Sequence, residues 1–242
     1  MIQEENNIQE QLASINKEIL RYQQIFGGAI KMTNEYLPTG NEMLDSVLGG
    51  GYKKGLLTEL SGSTDTGKTL LALKAVKEVE KEDKLTLYIT PTGSLNSSML
   101  EDNNIDKDSI SILYMNEADM IGPLLTQIVK PCLNDIGLIV IDSLADLTTT
   151  KEKNSPLKAN TELARSKIIK SLLTRLSNLV RNTSTCVLII NQERVNIVDN
   201  ESQGVVSSSE RWVDMCCDTR IKLSKDEDDD TCVEVKFKER KL

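Results

Sequence analysis

Residues 62–69 read Gly62-Ser63-Thr64-Asp65-Thr66-Gly67-Lys68-Thr69, a complete G-x-x-x-x-G-K-[ST] run. The two glycines allow a tight turn that aims successive N–H groups at one anion. Lys68 brings a positive charge to the β- and γ-phosphates of a nucleotide, and the Thr69 hydroxyl suits a Mg²⁺ shell. Such a loop must follow a strand and open a helix, because the helix N-terminus adds its own dipole to anion binding. Leu56-Leu57-Thr58-Glu59-Leu60 reads as that strand. Apolar residues at 70, 71, 73, 76 and 79 predict a helix over 69–80.

Working outward, strands and helices alternate. Strands are expected at 85–90, 110–114, 137–142 and 185–191, and helices at 117–130, ending near Pro131, and at 160–181. Two last strands, 218–224 and 231–238, flank the acidic run Asp226 to Asp230, which reads as a solvated hairpin tip. Gly137-Leu138-Ile139-Val140-Ile141-Asp142 is almost wholly apolar and suits a central parallel strand buried on both faces. The expected class is therefore α/β, a mostly parallel twisted sheet flanked by helices. Ahead of it, Ile8, Leu12, Ile15 and Ile19 place an apolar stripe on a helix over 3–23. A Gly turn and short strand follow at Phe26-Gly27-Gly28-Ala29-Ile30-Lys31-Met32. This divides the chain into an N-terminal part, 1–35, and a core, 36–242. The helix docks either on its own core or on a neighbouring subunit, and the pattern does not separate the two.

Composition narrows the chemistry. The 242 residues are 39% hydrophobic and 27% charged, ordinary for a globular protein. The net charge of −8 provides no general basic field, so any nucleic-acid contact must come from local loops. Aromatic content of 3% removes rows of rings on which bases could stack. There is no histidine, hence no imidazole base or metal ligand. The five cysteines form no C-x-x-C pair, which argues against a disulfide framework or zinc site and for a reducing interior. Cys216-Cys217 read as adjacent buried thiols. No segment reaches the roughly 18 apolar residues of a membrane span, and the acidic N-terminus is no signal peptide.

Asp142 ends the most apolar strand. There it serves either to hold Mg²⁺ beside a phosphate loop or to cap the following turn. Gln192 ends the next long strand, at the carboxyl edge where ligands of such sheets bind, and is placed to sense a γ-phosphate. Two polar stretches without a period read as functional loops. One is Lys151 to Asn160, with Lys151, Lys153 and Lys158; the other is Glu193 to Glu210, with Gly204 and Ser207-Ser208-Ser209.

These motifs together resemble the RecA recombinase family over nearly the whole chain. The residues that carry the likeness are Leu37-Pro38-Thr39-Gly40 with Leu44-Asp45 and Leu48-Gly49-Gly50, then 62–69. They continue with Ile139-Val140-Ile141-Asp142-Ser143 and Leu188-Ile189-Ile190-Asn191-Gln192-Glu193-Arg194-Val195. The N-terminal segment is similar to the bacterial branch, where such a helix docks on the adjacent protomer of a filament. The resemblance implies a RecA-like core that binds ATP and Mg²⁺ at subunit interfaces and single-stranded DNA in a filament groove. It implies DNA loops at 151–160 and 193–210, with Arg194 as the best phosphate contact and Arg211 beside it. Asn96 and Met99 fall where the family lines the adenine. Lys238 and Arg240, or Lys236 and Lys238 after a one-residue shift, fall near its two cations for the neighbouring nucleotide. Their other reading is solvated edge-strand charge. A cytoplasmic place is expected, on the nucleoid or, in a eukaryote, in the nucleus.

Three departures matter. Thr92 stands where the family has a catalytic Glu, so weak hydrolysis is expected. Ser207 to Arg211 replace a Gly-rich end of the second DNA loop. The chain stops at Leu242, just past the last strand, as in phage, plasmid or paralogous versions. A regulatory paralogue that binds a partner recombinase, or a RecA-fold motor outside recombination, are the rival expectations.

Overall fold

The computed structural model describes residues 35–154, 161–198, 201–207, 210–226 and 230–238, all within the unit Asn34–Leu242. The helix expected over 3–23 and the strand over 26–32 lie outside them, as do Lys158 and Arg240. A two-stranded ribbon, β1 (Tyr36–Leu37) with β2 (Tyr52–Lys53), brackets α1 (Glu42–Leu48). The Asn41 side chain caps α1 by accepting from the Leu44 N–H at 3.1 Å. The Asp45 carboxylate accepts from the Thr39 N–H at 2.8 Å.

The main sheet follows the expected alternation. Its strands are β3 (Leu57–Gly62), β4 (Leu85–Thr90), β5 (Ile110–Tyr114), β6 (Ile136–Asp142), β7 (Cys186–Val198), β8 (Glu201–Ser207), β9 (Thr219–Lys225) and β10 (Thr231–Phe237). The order is β10-β9-β3-β7-β6-β4-β5, with β8 on β7. Every pairing from β9 to β5 is parallel, while β10 on β9 and β8 on β7 are antiparallel. The helices are α2 (Lys68–Glu80), α3 (Ser97–Asp102), α4 (Ala118–Leu124), α5 (Thr150–Asn154), α6 (Thr161–Val180) and α7 (Glu210–Cys216).

Period-two alternation on buried strands builds one core per face. Leu138 and Val140 of β6 join Leu188 and Ile190 of β7 against Ala72, Leu73 and Val76 of α2. Ile139, Ile141, Val187 and Ile189 face Ile169, Leu172 and Leu176 of α6. The strands most apolar in sequence are thus the central ones, covered on both sides.

Three expectations change. The helix expected over 117–130 is α-helical only to Leu124, then passes through a π turn (Leu125–Val129) and a 3₁₀ turn (Lys130–Asp135). Pro123 inside α4 lacks the N–H for an i−4 bond, and Pro131 lacks another. The stretch from Lys151 begins as helix α5 rather than loop. Thr149 Oγ1 accepts from the Glu152 N–H at 3.2 Å, and Glu152 Oε2 accepts from the Thr149 N–H at 2.8 Å, a reciprocal cap. The stretch 193–210 is also not a plain loop. β7 runs on to Val198 and turns back into β8, pairing Arg194 with Val206 and Val195 with Val205, before α7 begins at Glu210.

Candidate nucleotide site

The parallel strands bring four chain segments to one edge. β3 ends at Gly62, which lies opposite Gln192 of β7, and Asp142 at the end of β6 lies opposite Ile190. β4 delivers Thr90 and then Thr92 to the same edge, Ile89 pairing with Ile141. This is the carboxyl edge at which open α/β sheets bind ligands.

The loop between β3 and α2 is built around close approach. Gly62 has φ +145°, and a Cβ there would lie 2.1 Å from the Leu223 carbonyl oxygen. Gly67 caps α2 at φ +88° with no side-chain bond, so the first N–H groups of α2 stay available to an anion. Thr66 Oγ1 donates to the Ser63 carbonyl at 3.0 Å. Lys68, only 6% exposed, turns its ammonium back to the same Ser63 carbonyl and to Thr66 Oγ1. The loop thereby folds around a buried positive charge of its own.

On the other side stands Asp142. Its Oδ2 accepts from the Thr69 hydroxyl at 2.9 Å and from the Tyr88 hydroxyl at 2.6 Å. Burial pushes the Asp142 carboxyl above the usual carboxylate range, although the Tyr88 and Thr69 hydroxyls hold it down in part. Burial, then the neighbouring Asp142 charge, pushes the Tyr88 phenol well up. A hydroxyl and a carboxylate oxygen sharing one hydrogen bond form the hard-oxygen donor set that Mg²⁺ takes, so the residues present fit that ion.

The other sequence-predicted residues are more scattered. Asn96 caps α3, its Oδ1 accepting from the Met99 N–H at 3.0 Å and the Ser98 hydroxyl at 2.7 Å. Met99 packs against the α2-side core. Lys153 pairs with Glu117 at 2.6 Å, while Lys151 is exposed. Arg194 sits on the β7 extension. The Arg211 guanidinium lies 5.3 Å from the Trp212 ring centroid, with the Lys170 ammonium 4.6 Å from the same ring. Lys238 follows Phe237, which pairs with Thr219 at the start of β9, and its ammonium reaches the Met215 carbonyl. Since Thr58 pairs with Thr219 and Gly62 with Leu223, Lys238 lies about 13 Å of strand from the edge that carries the loop.

Two features escaped the sequence reading. Tyr88 is one. The other is the fully buried Glu59, whose carboxylate accepts from Asn191 Nδ2 at 2.9 Å and Arg220 Nε at 2.6 Å. Arg220 continues to Asp214 at 3.3 Å and Glu210 at 3.8 Å, both on α7. An acid in the apolar run Leu56 to Leu60 was the available signal.

The RecA N-terminal domain family matches residues 6–235, almost the whole length. The chain belongs to the RecA family. Protein RecA of Mycoplasma genitalium is 33% identical over 161 residues, 66% of this chain and 47% of that protein. Protein RecA of Mycoplasma mycoides subsp. mycoides is 28% identical over 207 residues, 80% of this chain and 59% of its own. Protein RecA of Synechococcus sp. (strain CC9902) is 28% identical over 171 residues, 71% and 45% respectively. The chain spans about half the length of the curated relatives it matches. No helix among its described residues is long and apolar enough to cross a membrane.

Proposed function

We propose that this RecA-family chain is an ATP-dependent, single-stranded-DNA-binding recombination or repair protein, with ATP acting more as an assembly signal than as a fuel. The observation that carries the reading is the pairing of a buried Lys68 loop with the Thr69–Asp142 hydrogen bond at the carboxyl edge. In this reading the 62–69 backbone and Lys68 bind phosphates, and Thr69 and Asp142 hold Mg²⁺. That ion would neutralise phosphate charge. Asn96 and Met99 flank the base. Gln192, opposite Gly62, feels the occupied loop and passes its state along β7 into the β7–β8 hairpin that bears Arg194. That hairpin, α5 with Lys151 and Lys153, Lys158 and Arg211 face DNA. Residues 1–35 serve as the assembly segment for a filament. Because Lys238 sits away from its own loop, it and Arg240 are assigned to the nucleotide of a neighbouring copy. The mechanism is differential affinity: nucleotide favours the closed interface, and the closed interface binds DNA better.

Exposed Thr92 after β4 supports slow turnover, since a hydroxyl cannot serve as a carboxylate base. The same residue, with the pairing of Lys153 to Glu117, favours a second reading: a regulatory member that binds ATP and a partner recombinase with little DNA affinity of its own.

Fluorescence anisotropy of a labelled single-stranded oligonucleotide, with and without Mg·ATP at fixed salt, tests the proposal. Binding that needs Mg·ATP and is lost in Lys68→Ala is the expected result. No binding in either condition refutes the DNA-binding reading and leaves the regulatory one.

A further inference from the structure

Alternation along β4 turns Thr86, Tyr88 and Thr90 to the face that α2 covers, while Leu87 and Ile89 pack on the α6 side. Tyr88 is fully buried, in the cluster that holds Leu73 and Val76 of α2 and Val140 of β6. A phenol in such a place needs a partner for its hydroxyl. It finds one 54 residues away, donating to Asp142 Oδ2 at 2.6 Å. The same oxygen accepts from the Thr69 hydroxyl at 2.9 Å. Among the described residues, both side-chain donors to this carboxylate thus meet Oδ2. They stand on different supports. Thr69 rides on the first turn of α2, beside the phosphate loop, and Tyr88 on a strand paired with β5 and β6.

We propose that Tyr88 is the positioning residue of the cation site: its hydroxyl locks the Asp142 carboxylate in one orientation, and the locked carboxylate makes the site select Mg²⁺ over Ca²⁺. This rests on the reading of Thr69 and Asp142 as the Mg²⁺ pair and adds the choice of ion to it. The terminal torsion of an aspartate is broad and roughly twofold, so one hydrogen bond lets its two oxygens exchange places. A second donor on the same oxygen, fixed in the core, prevents that exchange and keeps Oδ1 as the oxygen with capacity for further ligands. The two ions differ in what they tolerate. Mg²⁺ demands near-ideal octahedral geometry at about 2.0–2.1 Å, whereas Ca²⁺ takes about 6–8 oxygens in flexible arrangements at about 2.3–2.6 Å. A locked carboxylate suits the demanding ion, and a turning one suits the tolerant ion. Tyr88 acts through Asp142 and does not itself touch the cation. Thr86 supplies the contrast. It lies two residues earlier on the same face, equally buried, with no hydrogen-bond partner for its hydroxyl among the described residues.

The test is the Kd for ATP, measured by titration calorimetry in Mg²⁺, in Ca²⁺ and in EDTA. Tyr88→Phe keeps the ring and removes only the hydroxyl. Its Kd in Mg²⁺ should rise about 10- to 100-fold, the usual cost of losing an outer partner that orients a metal ligand. Its Kd in Ca²⁺ should move far less. Its Kd in EDTA should equal the parent's, because Lys68 and the 62–69 backbone hold the phosphates without the ion. Thr86→Val should match the parent in all three conditions. An unchanged Kd in Mg²⁺ for Tyr88→Phe overturns the proposal. So does an equal loss in Mg²⁺ and Ca²⁺, or a loss of one size in all three conditions, which marks a merely structural role. A parent chain that binds ATP equally well in Mg²⁺ and in EDTA is a distinct failure: it removes the Mg²⁺ reading of Thr69 and Asp142, and the role of Tyr88 with it.

Discussion

Replacing Arg220 by methionine leaves the Glu59 carboxylate buried, with the Asn191 amide still donating to it. Glu59 is fully buried in the middle of β3, and it accepts from Arg220 Nε at 2.6 Å and Asn191 Nδ2 at 2.9 Å. Removing one partner of a buried ion pair typically costs about 3–5 kcal/mol, because the other charge is stranded. Arg220 keeps a fifth of its side chain in solvent, so water can reach part of the vacated space and the lower end applies. A loss of about 3 kcal/mol lowers the melting temperature by about 6–12 °C in a domain of this size. Differential scanning calorimetry at pH 7 reads it directly. The double variant Glu59→Gln/Arg220→Met carries no buried charge and should recover at least about 1 kcal/mol of the loss. A single-variant drop under about 3 °C, or no recovery in the double, refutes the stranded-charge account.

Four further outcomes are expected. Gly62→Ala puts a Cβ 2.1 Å from the Leu223 carbonyl at φ +145°, so it should cost about 3 kcal/mol or more and abolish nucleotide binding; a melting temperature within 2 °C of the parent would contradict this. Asp142 has a raised pKa, so its ionisation costs stability as pH rises through the carboxylate range. Asp142→Asn should therefore melt higher at pH 7 without nucleotide, with the gap closing towards pH 4, and should lose Mg²⁺-dependent ATP binding. Glu80 runs the other way. Burial pushes it up, but Lys77, the Asp106 N–H at 2.6 Å and the Ser109 hydroxyl at 2.8 Å outweigh that and hold it low. Its stabilisation is present above the unfolded carboxylate pKa and lost as pH falls through the folded one, so urea midpoints of the parent and Glu80→Gln should converge on acidification. Thr92→Glu should raise ATP turnover by a factor of about 10² to 10⁴, measured by phosphate release with DNA present.

The order of strands and helices in the core could be read because β6 and the first half of β7 are apolar on both faces and each long helix has one apolar stripe. Ile136–Asp142 and Cys186–Asn191 announce themselves in this way. The phosphate loop was equally legible, since its glycines answer to backbone geometry alone. What escaped depends on partners distant in sequence. Tyr88 is 54 residues from Asp142, and Arg220 is 161 from Glu59, so no local period marks either pair. The short helix at Thr150 departs from the expected functional loop although Thr149-x-x-Glu152 is a capping box, because five polar residues show no apolar period. The β7 extension was missed for a different reason. Its residues are polar, and a hairpin arm is held by a backbone ladder that composition does not reveal.

Asn191, the residue before Gln192, bonds Glu59; Glu59 bonds Arg220; Arg220 bonds Asp214 and Glu210 on α7, the helix that follows the β7–β8 hairpin. A displacement of the end of β7 therefore meets two routes to the same region, one along the strand and one through charge. The routes are unequal. The strand transmits only what its backbone can slide, and Gln192 is held opposite Gly62 by parallel pairing. The charged chain links Asn191 to α7 through buried Glu59 and then Arg220, whose partners Asp214 and Glu210 on α7 are exposed. Contact alone does not make coupling; the physical warrant is a second arrangement that nucleotide favours. Glu59→Gln separates the routes, since it keeps the shape and the strand path while weakening the charged one. If DNA binding is as proposed and the charged path carries the signal, that variant retains ATP affinity and loses the ATP-dependent gain in DNA affinity. If the strand carries it, both stay.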